Sequence, residues 1–570
     1  MRSYFFLLVS IIIFLSLTGP SIVSGNFAFV FDMGRDQLWI RDMVELRRPT
    51  LIGPWGSIAG IFFGPLWFYL LSIPYLIFKG DPRGAVLVSL AANLLTMIIG
   101  WQFLRKNKHP VAGNIFAILY SVSPLTISLS SFAFHANLLP LITLLFFIGL
   151  YVFHKSLFIN HKSLLGLSLA ALSASLAYHF EPAAGVMLTG FMTVLILINM
   201  RQMKIFQSFK SLKNILIAII LFLIPFLPQL VFELRHDFIQ TKSLFGYFSG
   251  ENTSLGGVLP LSERIVERGI KLGETLTYSL FTIDSNLWKI VFLGLFILAL
   301  LALTKLKKFT LNLDSFTLYS LLFTLYFLSF HYLAYTFLFP AELKGWYLSG
   351  FVSIHILAFS LICEFVYGAP RSINSATSRS FRQSFNEASL SAIHPRVNSR
   401  FSCERRDKSS HLFILTILIF IIIRNINPFD RIFGGQKPPL PPETFSAQIE
   451  VVDWIYRDAI HKDKPFAVYT YTPPVYDYQY QYLLWWRGIN KYKLLPAEYS
   501  YKPGETSYLQ YKDRFVSSIW KPKDAQLMYL IIEPDNLEFR VAGWMGNFLR
   551  SDKLETREFP SKVKVLFGSL

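Results

Sequence analysis

Residues 61–78 read IFFGPLWFYLLSIPYLIF, and whether this run crosses a membrane decides the fold. Pro65 and Pro74 interrupt it, and Lys79, Asp81 and Arg83 follow at once. A spanning helix needs roughly 20 apolar residues to clear about 30 Å of hydrocarbon. The run therefore fits two places, through the bilayer or along its surface. Charge in the rest of the chain chooses between them.

Outward from this stretch, candidate spans are 4–24, 83–103, 112–130, 137–153, 163–178, 183–199, 213–232, 287–304, 314–333, 346–364 and 411–424. The strongly basic connections are Arg105–Lys108, His154–Lys162, Arg201–Lys213, Lys305–Lys308 and the segment 371–408, where eight Lys/Arg face three Asp/Glu. Short Lys/Arg-rich loops stay in the cytoplasm. With 61–78 on the outer surface, all five lie on one face and the N-terminus joins them. Counted as a span, the run would put every later basic loop outside. The interfacial reading wins, and it predicts a multi-pass plasma-membrane protein with about eleven spans. The first run also admits a cleavable signal peptide, since Ser21–Gly25 is rich in small residues; the topology favours a retained helix.

Composition agrees. The 570 residues are 53% hydrophobic and only 16% charged, and the mean hydropathy is +0.43. A soluble chain of this length needs more charge to cover its surface. The net charge of +18 would suggest a nucleic-acid partner in a soluble protein. Here the cations sit in short clusters between apolar runs, so no nucleic acid is expected. Cys363 and Cys403 have no ligand-like spacing, which argues against a structural zinc site or a disulfide framework.

The expected organisation is a membrane core over 1–365, whose outer loop is 25–82, then a basic cytoplasmic loop at 366–410. A last span at 411–427 and an extracytoplasmic domain at 428–570 follow. The exit GGQKPPLPPE (434–443) is Pro-rich and stiff. Strand-like runs at 466–471 and 527–532 and a helix-like run at 445–459 make the last part a small α+β domain. Its aromatics (Tyr476, Tyr478, Tyr480, Tyr482, Trp485, Trp486) suit either a core or carbohydrate stacking. The fold class is thus mainly α, with a small α+β appendage.

The outer side gathers most carboxylates and histidines. Phe31–Gln37 places Asp32 and Asp36 four apart with Arg35 between them. Such a cluster is either an interfacial anchor or a catalytic carboxylate beside a phosphate-binding cation. His135 and Asn137 cap a helix or position a hydroxyl or a metal-bound water. Glu181, beside His179 at membrane depth, is costly unless paired or functional. Glu233, Arg235, His236 and Asp237 form either a self-neutralising cluster or a polar pocket, with Arg235 a phosphate contact and His236 a hydroxyl contact. Lys344 would reach a phosphate, and Trp346 and Tyr347 would stack on a sugar or serve the aromatic belt.

Asp32 with Arg35, then Asp36–Glu45, then Pro49-Thr-Leu-Ile-Gly-Pro54, then Gly64-Pro-Leu-Trp-Phe-Tyr-Leu-Leu71 resemble the first outer loop of GT-C glycosyltransferases. The likeness is to dolichyl-phosphate-mannose–protein mannosyltransferases, aminoarabinose transferases and RgtA/B/C/D-like proteins, over residues 1 to about 365. It implies a polyprenyl-phosphate sugar donor, a protein, lipid or glycan acceptor, and Asp32 as catalytic carboxylate with Arg35 on the donor phosphate. The chain departs from the pattern at Met33, where many members have Glu, and at Gly64, where aminoarabinose transferases have Lys. Those departures leave both Asp32 and Asp36 as candidate bases. No cofactor is implied with certainty; a divalent metal is admissible, with no readable ligands. The rival readings are a transporter or flippase, a sensor with a membrane anchor, and a lipid-linked glycan polymerase. Charges at the outer helix ends, rather than at the midplane, speak against transport.

Overall fold

The computed structural model describes residues 2–56, 58–156, 161–203, 209–249, 259–306, 314–368, 408–426, 440–473, 477–504, 524–548 and 554–570. The basic stretch 369–407, the Pro-rich exit up to 439, Cys403 and Tyr476 lie outside the described residues.

The apolar helix α1 (Arg2–Ser24) ends at Gly25, whose φ of 78° turns the chain into an extended stretch. Next come α2 (Phe31–Glu45) and α3 (Leu66–Phe78). With 13 residues, α3 is about 20 Å long at 1.5 Å per residue, short of the hydrocarbon thickness. The decisive run 61–78 thus holds one short helix.

Helices α4 (Pro82–Lys106), α5 (Pro110–Val122), α6 (Pro124–Ser130), α7 (Leu139–Ser156), α8 (His161–Phe180) and α9 (Pro182–Met203) follow. Then come α10 (Phe209–Leu223), α11 (Leu227–Arg235), α12 (Ile239–Ser249), α13 (Leu261–Leu280), α14 (Asn286–Leu306), α15 (Ser315–Leu338), α16 (Phe351–Gly368) and α17 (Lys408–Ile426). Helix starts follow local chemistry: Asp81 accepts from the Arg83 amide ahead of Pro82, the standard cap-then-proline start. Among the described residues six helices are long and apolar enough to cross a membrane, and five shorter apolar helices accompany them. This is an integral membrane protein, although length and composition alone do not reach the eleven spans read from sequence. The straight span expected over 112–130 is instead α5 and α6, bent by 60°. Ser123 is extended and Pro124 cannot continue the amide ladder, so the helix breaks there.

The C-terminal part comprises α18 (Phe445–Lys462), β1 (Phe466–Tyr471), α19 (Tyr478–Arg487), β2 (Glu498–Ser500), β3 (Leu527–Ile532), α20 (Glu538–Met545), β4 (Glu555–Glu558) and β5 (Lys564–Ser569). The sheet order is β2-β1-β3-β5-β4. β1 pairs in parallel with β2 and β3, and β5 is antiparallel to β3 and β4. The two strand-like runs are β1 and β3, residue for residue, and the helix-like run is α18.

This domain grips the loop between α1 and α4 at three places. Backbone bonds join Phe29 to Glu443 (2.8 Å) and Phe445 to Phe27 (2.9 Å), and the Phe27 and Phe445 rings stack at 5.1 Å. The Tyr482 hydroxyl donates to the Gly80 carbonyl (2.5 Å) and the Trp486 indole to that of Lys79 (3.1 Å). The third contact is α19 against α2. Tyr478, Tyr480, Tyr482, Trp485 and Trp486 are all buried, so these aromatics make core and seam rather than an open stacking face.

Candidate active site

α2 is polar on average, yet every residue from Met33 to Met43 except Trp39 is buried. A polar helix between a membrane bundle and the C-terminal domain must pair its charges, because an unpaired buried charge is costly. It does so twice. Arg35 Nη1 meets Asp32 Oδ1 at 2.7 Å, one turn back along the helix. Its Nη2 and Nε meet Asp36 Oδ1 at 2.8 and 2.9 Å. The other Asp36 oxygen accepts from the Trp67 indole at 2.8 Å. Farther along, Arg41 Nη2 and Nε hold Asp42 Oδ1 at 2.8 and 2.9 Å.

The two candidate carboxylates differ in access. The Asp32 side chain keeps 26% of its surface open, whereas Asp36 keeps 5%. Burial raises both above the usual aspartate range, and Arg35 opposes it in each. Asp36 is pushed up to about 6. With both ionised, the Arg35 triad carries a net charge of −1, so Arg35 serves first to orient and ionise Asp32.

A hairpin closes over the cluster. Across it the Gly53 amide donates to the Phe63 carbonyl and the Phe63 amide to the Pro54 carbonyl, each at 2.8 Å, and Trp55 bridges Phe62. It lays the Trp55 ring 4.9 Å from the Arg35 guanidinium. Beyond it, Gly64 leaves room for the His179 imidazole; any side chain on Gly64 would collide with that ring. The space beside Gly64 is thus filled from α8.

The other outer segments converge on this hairpin. His135 packs edge-on against Phe63 at 4.6 Å and hydrogen-bonds the Phe180 carbonyl through Nδ1. Phe134 meets Trp346 edge-on at 5.9 Å, and Trp346 meets Tyr347 in the same way at 5.9 Å. Asn137 donates to the Phe132 carbonyl at 2.8 Å, holding its own turn. Glu181 is buried, and burial pushes its carboxyl up to about 8. Phe62 packs on Phe232 at 5.6 Å, which seats the Glu233–Asp237 segment beside the hairpin. There Glu233 accepts from the Gln240 and Thr241 amides (2.9 and 3.0 Å) and the Thr241 hydroxyl (2.7 Å), so it caps α12. His236 stacks on Phe232 at 4.0 Å, and Arg235 is exposed. Lys344 is paired with Glu342 at 2.6 Å. Sequence reasoning missed Trp55, Trp67 and Arg41. The one available hint was the repeated Arg-Asp dipeptide at 35–36 and 41–42.

The solved structure of ArnT from Cupriavidus metallidurans in the apo state superposes with a TM-score of 0.56 at 11% identity, covering 99% of this chain and 97% of that one. The fold is the GT-C fold. ArnT bound to undecaprenyl phosphate gives 0.54 at 11% identity, over the same shares of both chains. The oligosaccharyltransferase AglB from Archaeoglobus fulgidus scores 0.44 at 13% identity, over 100% of this chain and 74% of that one. No family model and no curated protein matches the sequence. In this GT-C fold the loop between α1 and α4 carries the Asp32–Arg35–Asp36 cluster, with the hairpin and the C-terminal domain closing around it.

Proposed function

We propose that the chain transfers a sugar from a polyprenyl-phosphate donor to an acceptor hydroxyl on the outer side of the membrane, with inversion. The observation that carries this is the grip of buried Arg35 on a still accessible Asp32, set on the outer helix of a fold shared with ArnT.

In this mechanism Asp32 accepts the proton of the acceptor hydroxyl while the acceptor oxygen bonds to the anomeric carbon. The bond from that carbon to the phosphate oxygen breaks, and the phosphate leaves with the electron pair. Arg35 favours the ionised form of Asp32 and fixes its rotamer. Asp36 and Trp67 in turn fix Arg35. Because the triad is anionic, the leaving phosphate draws its stabilisation from other cations on this face, for which Arg235 and Lys344 are the candidates. His135, Asn137, Trp346 and Tyr347 shape the surrounding wall. The lipid tail lies among the helices; ArnT bound to undecaprenyl phosphate supports that carrier class. Among the described residues no group of three or more His, Cys, Asp or Glu side chains converges, and no step here runs through a metal.

The test is transfer from radiolabelled undecaprenyl-phosphate sugars by the protein in nanodiscs, with host membrane extract as acceptor. Asp32→Asn should lose about a thousandfold in rate, within the usual worth of a positioned base, at unchanged thermal stability. Equal transfer by the variant removes Asp32 from the chemistry and points to Asp36. Donor-stimulated flux in sealed vesicles without transfer favours a transporter.

A further inference from the structure

Trp55 is 38% exposed, although it sits in the seam between α2 and the outer domain. Two contacts fix its indole. The Arg35 guanidinium lies 4.9 Å from the ring, and the Tyr478 ring at the start of α19 lies 6.1 Å away, tilted by 60°. The hairpin fixes its backbone through the Trp55–Phe62 bridge and the Gly56-to-Ile61 bond at 2.8 Å. A tryptophan of the lipid-facing belt is held by the bilayer; this one is held by protein groups from α2 and α19, with more than a third of its surface open.

We propose that the open surface of Trp55 is the stacking platform for the pyranose ring of the donor. The inference rests on the glycosyl-transfer reading above and deepens it. Only one guanidinium group separates the indole from Asp32, since Arg35 touches both. The anomeric carbon must lie within reach of the hydroxyl that Asp32 deprotonates, so the transferred ring falls beside that guanidinium and against the indole. The transferred sugar is the one ring the reaction requires. A rigid, flat aromatic with an exposed face binds the C–H face of a pyranose at little conformational cost. The platform is assembled jointly, because Trp55 comes from the membrane half and its buttress Tyr478 from the outer domain.

The experiment is equilibrium binding to the full chain in nanodiscs of radiolabelled undecaprenyl phosphate and of its glucosyl, mannosyl and galactosyl forms. Wild type should bind at least one sugar form more tightly than the bare carrier. Trp55→Leu should weaken that sugar form about tenfold, the scale of one aromatic contact, and leave the bare carrier within about twofold. Trp55→Phe should recover most of the loss and keep the thermal stability of wild type, which separates stacking from folding. Equal weakening of the sugar form and bare carrier would show that Trp55 only shields Arg35 and would overturn the platform. So would sugar-form binding that neither substitution alters. Wild type that binds none of the four compounds defeats the donor reading itself, and the platform with it.

Discussion

Two Arg-Asp pairs sit six residues apart on α2, and their local geometry is the same. In each, one carboxylate oxygen takes the Arg Nε and Nη2 of its neighbour at 2.9 and 2.8 Å. The difference is one turn earlier. Three residues before Arg35 stands Asp32, whereas three before Arg41 stands Leu38. Arg35 therefore reaches a second, accessible carboxylate and faces Trp55. Arg41 lies 5.0 Å from the Trp485 ring of α19, itself buried. One dipeptide thus serves in the candidate site and as a strut against the C-terminal domain, and the residue at i−3 marks which.

The largest effect should come from Arg41→Gln. Breaking a buried pair by removing one partner costs about 3–5 kcal/mol, because Asp42 loses the guanidinium that both hydrogen-bonds and neutralises it, and keeps only the more distant charge of Arg48. Thermal unfolding in detergent should show a large fall in midpoint, while the folded fraction retains transfer within about fivefold of wild type. A rate collapse at unchanged midpoint would make the second pair part of the chemistry and end the distinction.

A smaller effect concerns pH. The folded pKa of Asp36 is raised from 3.8 to about 6, so between those values the folded protein binds more protons than the unfolded chain. Stability is then fully present below about pH 4 and falls as pH rises through 6. The ceiling is about 3 kcal/mol at 1.36 kcal/mol per unit. Asp32 contributes with the same sign, since its pKa is also raised. Asp36→Asn, whose amide oxygen still accepts from Trp67, should flatten the midpoint-against-pH curve between 4 and 6.5 without removing its slope entirely. An unchanged slope would mean that Asp36 is solvated in the working protein, and the two pairs would then differ less in burial than the structure shows.

Much of this was legible in the sequence for a physical reason. Apolar runs are local signals, so the membrane class followed from them, and so did the single short helix within 61–78. Asp32 and Arg35 are three apart, and helical periodicity alone brings them together. Contacts across long loops left no such trace. Trp67 reaches Asp36 over 31 residues, and Trp486 reaches Lys79 over 407. Glu233 read as pocket material because its cap partners, Gln240 and Thr241, lie seven and eight residues on, beyond the cap spacing a sequence shows. The bend at Ser123–Pro124 was visible as a proline, but an apolar run on both sides concealed it.

The smallest effect is the one that joins the two pairs. A Cβ built on Gly34 would fall among Tyr478 and Gln479 backbone atoms of α19. Those are main-chain atoms and cannot swing aside, so Gly34→Ala must push α2 and α19 apart. Gly34 adjoins Arg35, and a displacement of about 1 Å at a catalytic group can cost up to a hundredfold. Transfer should fall about tenfold, with the unfolding midpoint lowered by only a few degrees and Asp32 still required. Wild-type rates in Gly34→Ala would show that the seam does not position the site, leaving strut and site independent. A tenfold loss would instead mean that the C-terminal domain acts on the chemistry through the flank of α2, with the close approach of Gly34 to the Tyr478 and Gln479 backbone setting where Arg35 stands.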